Sequence, residues 1–411
     1  MAIQELTPES RTPKGHATPA EIKSFLENFD PHSPFFVKNR ENVIEAVHAS
    51  GCPVLHSMLH GGFTVFGRYQ TVIDVHQNEE AYSTRYKSHP PSEGLPALIP
   101  STRSDPEHHI YRRILNPYFS AKAMQAIAPR AGEVCRQLFD EALAMGQVDV
   151  VMDIAQPLVG IMTMELAGLP VEKARDYVKP IHDATFRTVS TAEIADGWQH
   201  LMASIRSDIA ELRRNPKGLL GDLMQNADFE GRPLTDEELE LITVNVLIGG
   251  LGTSQGFMGS MTVYLGRNPD QRQLLLDDPA LRRQAVEEML RYFSPQTMSA
   301  RTVLHEVEVE GQTYQPGDRL LIAYAMGNLD PAKFENPMKV DFHRWPNKHM
   351  TFGIGPHTCV GRHFAITMIS QYLNALLDKM PHFKLVEDEV RAVDNISSIA
   401  GYMNVPIVQG D

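Results

Sequence analysis

The stretch Phe352-Gly353-Ile354-Gly355-Pro356-His357-Thr358-Cys359-Val360-Gly361 places one cysteine in a loop stiffened by three glycines and a proline. Directly after it, Arg362, Phe364, Ala365, Met368, Ile369, Tyr372, Leu373, Leu376 and Leu377 recur at helical spacing. A sulfur at a helix N-terminus meets unpaired N–H groups and the positive end of the helix dipole, and both favour thiolate over thiol. Such a thiolate is a ligand or a nucleophile, and the loop alone leaves both open.

Composition narrows the choice. The chain has 411 residues, 42% hydrophobic and 22% charged, which is enough apolar material for a sizeable core. A formal charge of −13 argues against a general nucleic-acid binder. Three cysteines, Cys52, Cys135 and Cys359, fit a reducing compartment without a disulfide framework. Met1 to Gly15 is polar, and no unbroken apolar run reaches the ~18 residues of a membrane span. A soluble cytoplasmic protein, bound to neither membrane nor nucleic acid, is the expectation.

Residues 1–19 read as a flexible arm and residues 20–411 as one large, mainly helical domain with a smaller β-rich region. Pro53–Met58 and Phe63–Gly67 form a hairpin pattern around His60-Gly61-Gly62. Ala81 to Ser104 lacks periodicity, as expected of a functional lid. Helices are predicted over Pro106–Asn116, over Ala128–Met145 with Pro129 in the first turn, and over Val171–Phe186 with a break at Pro180. Thr302–Val309 alternates as a strand. Leu234–Arg267 is a long apolar helix begun by Thr235-Asp236-Glu237-Glu238 and interrupted by Gly249-Gly250-Leu251-Gly252-Thr253-Ser254. Glycines cost ~1 kcal/mol each there, so something must approach the backbone closely.

The chemistry follows from the cysteine. No Cys-x-x-Cys or recognised His spacing makes a zinc set, while a thiol-protease arrangement stays open. A glycine-framed cysteine suits a flat, bulky cofactor that needs a close backbone and a centred sulfur, as in thiolate ligation of haem iron. Phe352-Gly-x-Gly-x-His-x-Cys-x-Gly followed by Phe364-Ala365 resembles the haem-binding signature of the cytochrome P450 family. Glu288-Met289-Leu290-Arg291 resembles that family's Glu-x-x-Arg, with Arg344 of the following meander as third member. The likeness spans residues 40–410 and is nearest to soluble bacterial members such as the camphor hydroxylase.

The resemblance implies the P450 fold and haem b held by Cys359 as metal ligand, framed by Phe352 and Gly361. It further implies His108, Arg112, Arg301 and His357 as partners of the haem propionates. Thr253 matches the hydroxyl that organises proton delivery, but Gly252 stands where the family has an acid. The substrate wall is expected from Leu98, Ile99, Asn245, Ile248, Gly249, Thr297, Met298 and Ile399. Asn245 shares a helix face with Gly249 and Thr253, where it either anchors a substrate oxygen or bonds a neighbouring loop.

These residues imply a monomeric monooxygenase that inserts one oxygen atom from O2 into a small hydrophobic substrate such as a terpenoid, norisoprenoid or aromatic. Electrons would come from a ferredoxin and ferredoxin reductase, steered by Arg112, Arg113, Arg344, Lys348, His349, Arg362 and His363 around the loop. The alternative raised by Gly252 is peroxide-driven or non-oxygenating haem-thiolate chemistry.

Overall fold

A 32-residue helix, Asp236–Arg267, runs through the protein for ~48 Å at 1.5 Å per residue. Its start is a capping box: Glu238 N donates to Thr235 Oγ1 (3.2 Å) and Thr235 N to Glu238 Oε2 (2.7 Å). Glu238 also accepts from Arg232 at 2.8 and 2.9 Å and from the Tyr111 hydroxyl at 2.6 Å. The head of the long helix is thereby tied to Glu107–Leu115, the helix carrying His108 and Arg112. The computed structural model describes residues 17–51, 53–91, 98–186, 190–393 and 399–410. The expected arm lies almost wholly outside the described residues, as do Cys52 and the middle of the expected lid.

The long helix packs against the helices Gln156–Ala167, Ala174–Phe186 and Arg362–Lys379 and against the π-helical turn Val150–Ala155. The helix Arg362–Lys379 lies along Ala121–Ala144. Val150–Ala167 and Asp236–Arg267 are long and apolar enough to cross a membrane, yet most of each is buried inside the protein. Their apolarity is accounted for by the core they build.

A five-stranded sheet stands beside the helices, in the order Val54–Ser57, Phe63–Phe66, Arg319–Ile322, Ser299–Val303, Tyr82–Ser83. The first pair is the expected hairpin, with Val54 opposite Phe66. Arg301 sits opposite Leu320 in the middle of the sheet, which fixes the direction of its side chain. Smaller sheets, including Val148–Asp149 with Pro406–Val408 and Lys384–Leu385, complete the β region.

Three local expectations are corrected. The helix predicted from Ala128 begins at Ala121, where Ser120 Oγ accepts from Ala123 N, so Pro129 is internal. Pro180 is likewise internal to Ala174–Phe186, and the helix does not break there. An internal proline costs about 3 kcal/mol, which burial along these helices outweighs. The strand predicted over Thr302–Val309 is two strands, Ser299–Val303 and Val307–Val309, the second turning back through Glu310 and Gly311 at φ +50° and +73°.

The cap of the long helix generates a pH prediction. Hydrogen bonds from Arg232 hold the Glu238 carboxyl down to about 2, against the opposing effect of burial. Its folded pKa is depressed, so the stabilisation is present above the usual carboxylate range and is lost as pH falls towards 2. The stability difference between wild type and Glu238→Gln, measured by urea unfolding, is expected to be flat near neutrality and to shrink below pH ~4.5.

Candidate functional site

The cysteine loop is held by its own backbone. Cys359 N donates to Phe352 O (2.7 Å), and Thr358 N and Oγ1 both donate to Gly355 O (3.0 and 2.7 Å). Gly353 and Gly355 have φ of +71° and +73°, a region glycine enters without a Cβ penalty. Gly361 precedes the first turn of Arg362–Lys379 and offers no side-chain cap, leaving the helix end to face the sulfur's side of the loop. The Arg362 guanidinium lies over the Phe352 ring, 5.6 Å from its centroid.

The thiol behaves differently from the first reading. Burial pushes the Cys359 pKa up, and a hydrogen bond from Gly361 with the charges of Lys87, Arg112 and Arg362 only partly opposes this. The helix end acts in the expected direction, but desolvation is larger. A raised thiol with no imidazole hydrogen-bonded to it among the described residues is a poor nucleophile. A metal cation bonded directly to the sulfur would offset that desolvation and take it in the deprotonated form. Cys359 is nevertheless exposed to solvent although these charged side chains surround it.

Around the sulfur gathers an excess of positive charge. Arg301, 2% exposed, donates to Ala300 O (2.9 Å) and Ser299 Oγ (3.3 Å) and lies 3.1 Å from His76 Nδ1. His76 in turn meets the Tyr324 hydroxyl at 2.6 Å. Arg112 donates to Thr358 O. Lys87 is pushed down to about 7 by burial and by the charge of Arg301. His108 and His357 stack with ring centroids 3.8 Å apart, and His357 Nε2 is 2.8 Å from Glu79 Oε1. Burial, then the charge of Arg112, holds His108 down to about 4, and burial with Lys87 lowers His357 further. Among the described residues the buried His357 Nδ1 has no hydrogen-bond partner. Buried cations and an orphaned ring nitrogen call for anionic oxygens.

The fold thus brings together Cys359, Arg112, Arg301, His108 and His357, as expected. Sequence reasoning missed Lys87, His76, Glu79 and Tyr324. Lys87 lies in the aperiodic stretch after Ala81 and is carried in by the strand Tyr82–Ser83 and by the bond from Ala300 N to Lys87 O (2.8 Å).

The glycines of the long helix divide by role. A Cβ at Gly250 would lie 3.1 Å from Thr163 Oγ1, so that glycine admits a neighbouring helix. Gly249 is exposed on this mostly buried helix, and a Cβ there would meet nothing within 4 Å. Thr253 Oγ1 donates back to Gly249 O at 3.3 Å. Gly252, Ser254 and Gln255 are buried. Asn245 Oδ1 accepts from Ser101 Oγ (2.7 Å), the loop bond that was the alternative to a substrate anchor. Of the expected wall, Leu98 and Ile248 are partly exposed, whereas Ile99, Thr297 and Met298 are buried. Ile399 bridges to Gln296, which sets it beside Thr297.

A buried lock positions the loop from behind. Glu288 and Arg291 are fully buried and pair twice at 2.8 Å. Arg291 also donates to the carbonyls of Asn328, Pro337 and Lys339 (2.8 to 3.1 Å). Glu288 accepts from Arg344 (3.1 Å), Asp341 N (2.9 Å) and Asn347 (3.0 Å). Asn328 passes the constraint on, accepting from Met350 N at 2.7 Å and donating to Thr351 Oγ1 at 2.9 Å, just before Phe352.

Comparison with known proteins agrees with this geometry. The cytochrome P450 family model matches residues 171–398. The steroid C26-monooxygenase of Mycobacterium tuberculosis (strain CDC 1551 / Oshkosh) is 29% identical over 84% of this chain and 95% of its own. Cytochrome P450 105C1 of a Streptomyces species is 32% identical over 67% of this chain and 72% of its own. The crystal structure of CYP101J2 superposes with a TM-score of 0.81 at 25% identity, over 90% of this chain and 93% of that one. The chain belongs to the cytochrome P450 family of haem-thiolate monooxygenases, whose cofactor is haem b. The cysteine, the carboxylate-poor cluster of cations and the open side of Gly249 fit that cofactor.

The lock carries a prediction. Glu288→Gln leaves Arg291 buried and incompletely paired, at a cost of about 3–5 kcal/mol. Urea unfolding should show that loss, with the purified variant retaining less haem; unchanged stability would remove the lock from this account.

Proposed function

We propose that the chain is a ferredoxin-dependent monooxygenase acting on a small hydrophobic molecule, a terpenoid, norisoprenoid or aromatic. The observation that carries this reading is an exposed Cys359 among cationic side chains, together with an exposed Gly249, open on its Cβ side, on a mostly buried helix. Haem b, when bound, supplies the redox centre at which dioxygen is activated. Cys359 holds its iron. Arg112, Arg301, His108 and His357 hold its propionates, and Lys87 adds a further cation to the same grip.

On the other side, Leu98, Ile248, Gly249 and Ile399 exclude water and select apolar ligands, with Ile99, Thr297 and Met298 packed behind them. Ser101 and Asn245 close the end of the loop onto the long helix and offer oxygen-bearing ligands a polar contact. The Thr253 hydroxyl, tied to Gly249 O, orders the water that brings protons. Gly252 has no carboxyl to recharge that water, which makes peroxide-driven turnover the second reading. The relative named a steroid C26-monooxygenase is consistent with an apolar substrate but larger than the class proposed.

Arg344 and His349 are engaged internally, with Glu288 and Glu287. Arg113, Lys348, Arg362 and His363 remain exposed and are proposed as the docking face for an acidic ferredoxin. We place the protein in the cytoplasm as a monomer.

Reconstitution with a ferredoxin, its reductase and a panel of terpenoids and aromatics tests this. Coupled oxygenated product is expected. Gly252→Asp should raise product formed per reduced nicotinamide consumed by at least about twofold, since a positioned acid is worth more than that in proton transfer. Product with hydrogen peroxide alone, and none with ferredoxin, would establish the second reading instead.

A further inference from the structure

We propose that Glu79, Asp105, His108 and His109 form a site for one divalent transition-metal ion of the zinc type, at the surface next to the haem grip. One ligand atom from each of the four lies within 4.8 Å of all the others. His108 Nδ1 is 3.5 Å from Glu79 Oε1 and 3.8 Å from Asp105 Oδ1, and His109 Nδ1 touches Asp105 Oδ1. Ligands in a tetrahedron around zinc at 2.0–2.1 Å stand roughly 3.4 Å apart. Small side-chain movements therefore close the set.

His108 gives the independent sign. It is 1% exposed, and among the described residues its Nδ1 has no hydrogen-bond partner although oxygens of Glu79 and Asp105 lie 3.5 and 3.8 Å away. A buried ring nitrogen set beside carboxylate oxygens without a hydrogen bond to either is what a cation between them would resolve. Glu79 Oε1 is also without a hydrogen bond, its 2.8 Å approach to His357 Nε2 being off the bonding direction. Two imidazoles with two carboxylates suit zinc, cobalt or nickel better than calcium, which takes oxygen. Access is provided by a surface cleft lined by Asp74, Glu79, Glu80 and Asp105, whose charge would concentrate cations.

The site has a consequence for its neighbour. A metal on His108 Nδ1 confines that ring's proton to Nε2 and so fixes His108 as a donor from its other nitrogen. Occupancy of the surface site would thus pre-set one member of the proposed propionate grip. The four ligands come from two places, the turn just after the helix Tyr69–Gln77 and the residues entering and opening Glu107–Leu115, so the ion also staples those segments together.

The test uses haem-loaded enzyme stripped of loose metal with a chelator and titrated with zinc in a calorimeter. One zinc per chain is expected. Asp105→Asn with His109→Ala should weaken binding by at least about 100-fold, above the 10–100-fold typical of changes outside the ligand set. The haem absorption spectrum of each variant reports that it is folded. His109→Ala alone removes a side chain 60% exposed and is the safer second variant, expected to lose about tenfold. No saturable binding by wild type, or equal binding by both variants, overturns the proposal.

Discussion

Positive charge gathered in and at the edge of the interior, with one carboxylate to answer it, is the constraint on which this structure turns. Lys87, Arg112 and Arg301 converge near a thiol that burial holds in its neutral form, and Glu79 is the carboxylate facing them. A protein interior does not tolerate such groups without partners, because each unpaired charge costs several kcal/mol. A haem would answer both demands at once, with its iron for the sulfur and its propionates for the cations. Burial first, and then the same cations, hold His108 and His357 neutral.

Everything behind the loop serves to hold that arrangement still. The Glu288–Arg291–Arg344 network is satisfied by carbonyls and amides of the meander, so its buried charges have the hydrogen bonds that make such a pair tolerable. Asn328 relays it to Met350 and Thr351, one residue before the cysteine loop. On the opposite side the long helix is anchored at its head through Glu238 and Tyr111 to the helix bearing Arg112. Two buried polar networks thus bracket one cofactor site, and stability and function share residues.

The sequence was most readable where local signals and tertiary packing agree. The helix Arg362–Lys379 begins where its apolar spacing implies, and the Phe352–Gly361 motif located the site. Pro129 and Pro180 misled because a local cost was outweighed by burial that no short window reveals. Lys87, His76 and Glu79 were invisible because nothing local marks them; only sheet pairing and helix packing bring them to the sulfur. The thiol's raised pKa was missed for a related reason. The helix end is legible in sequence, whereas desolvation belongs to the whole fold. Asn245 was placed on the right helix face, but its partner Ser101 lies 144 positions away.

The central claim is that Cys359 would hold haem iron through its thiolate. The absorption spectrum of the dithionite-reduced protein under carbon monoxide tests it most directly. The account predicts the strongly red-shifted Soret band of a thiolate-ligated haem, lost in Cys359→Ser. A Soret band at the position of a histidine-ligated haem, or one unchanged in that variant, would contradict it.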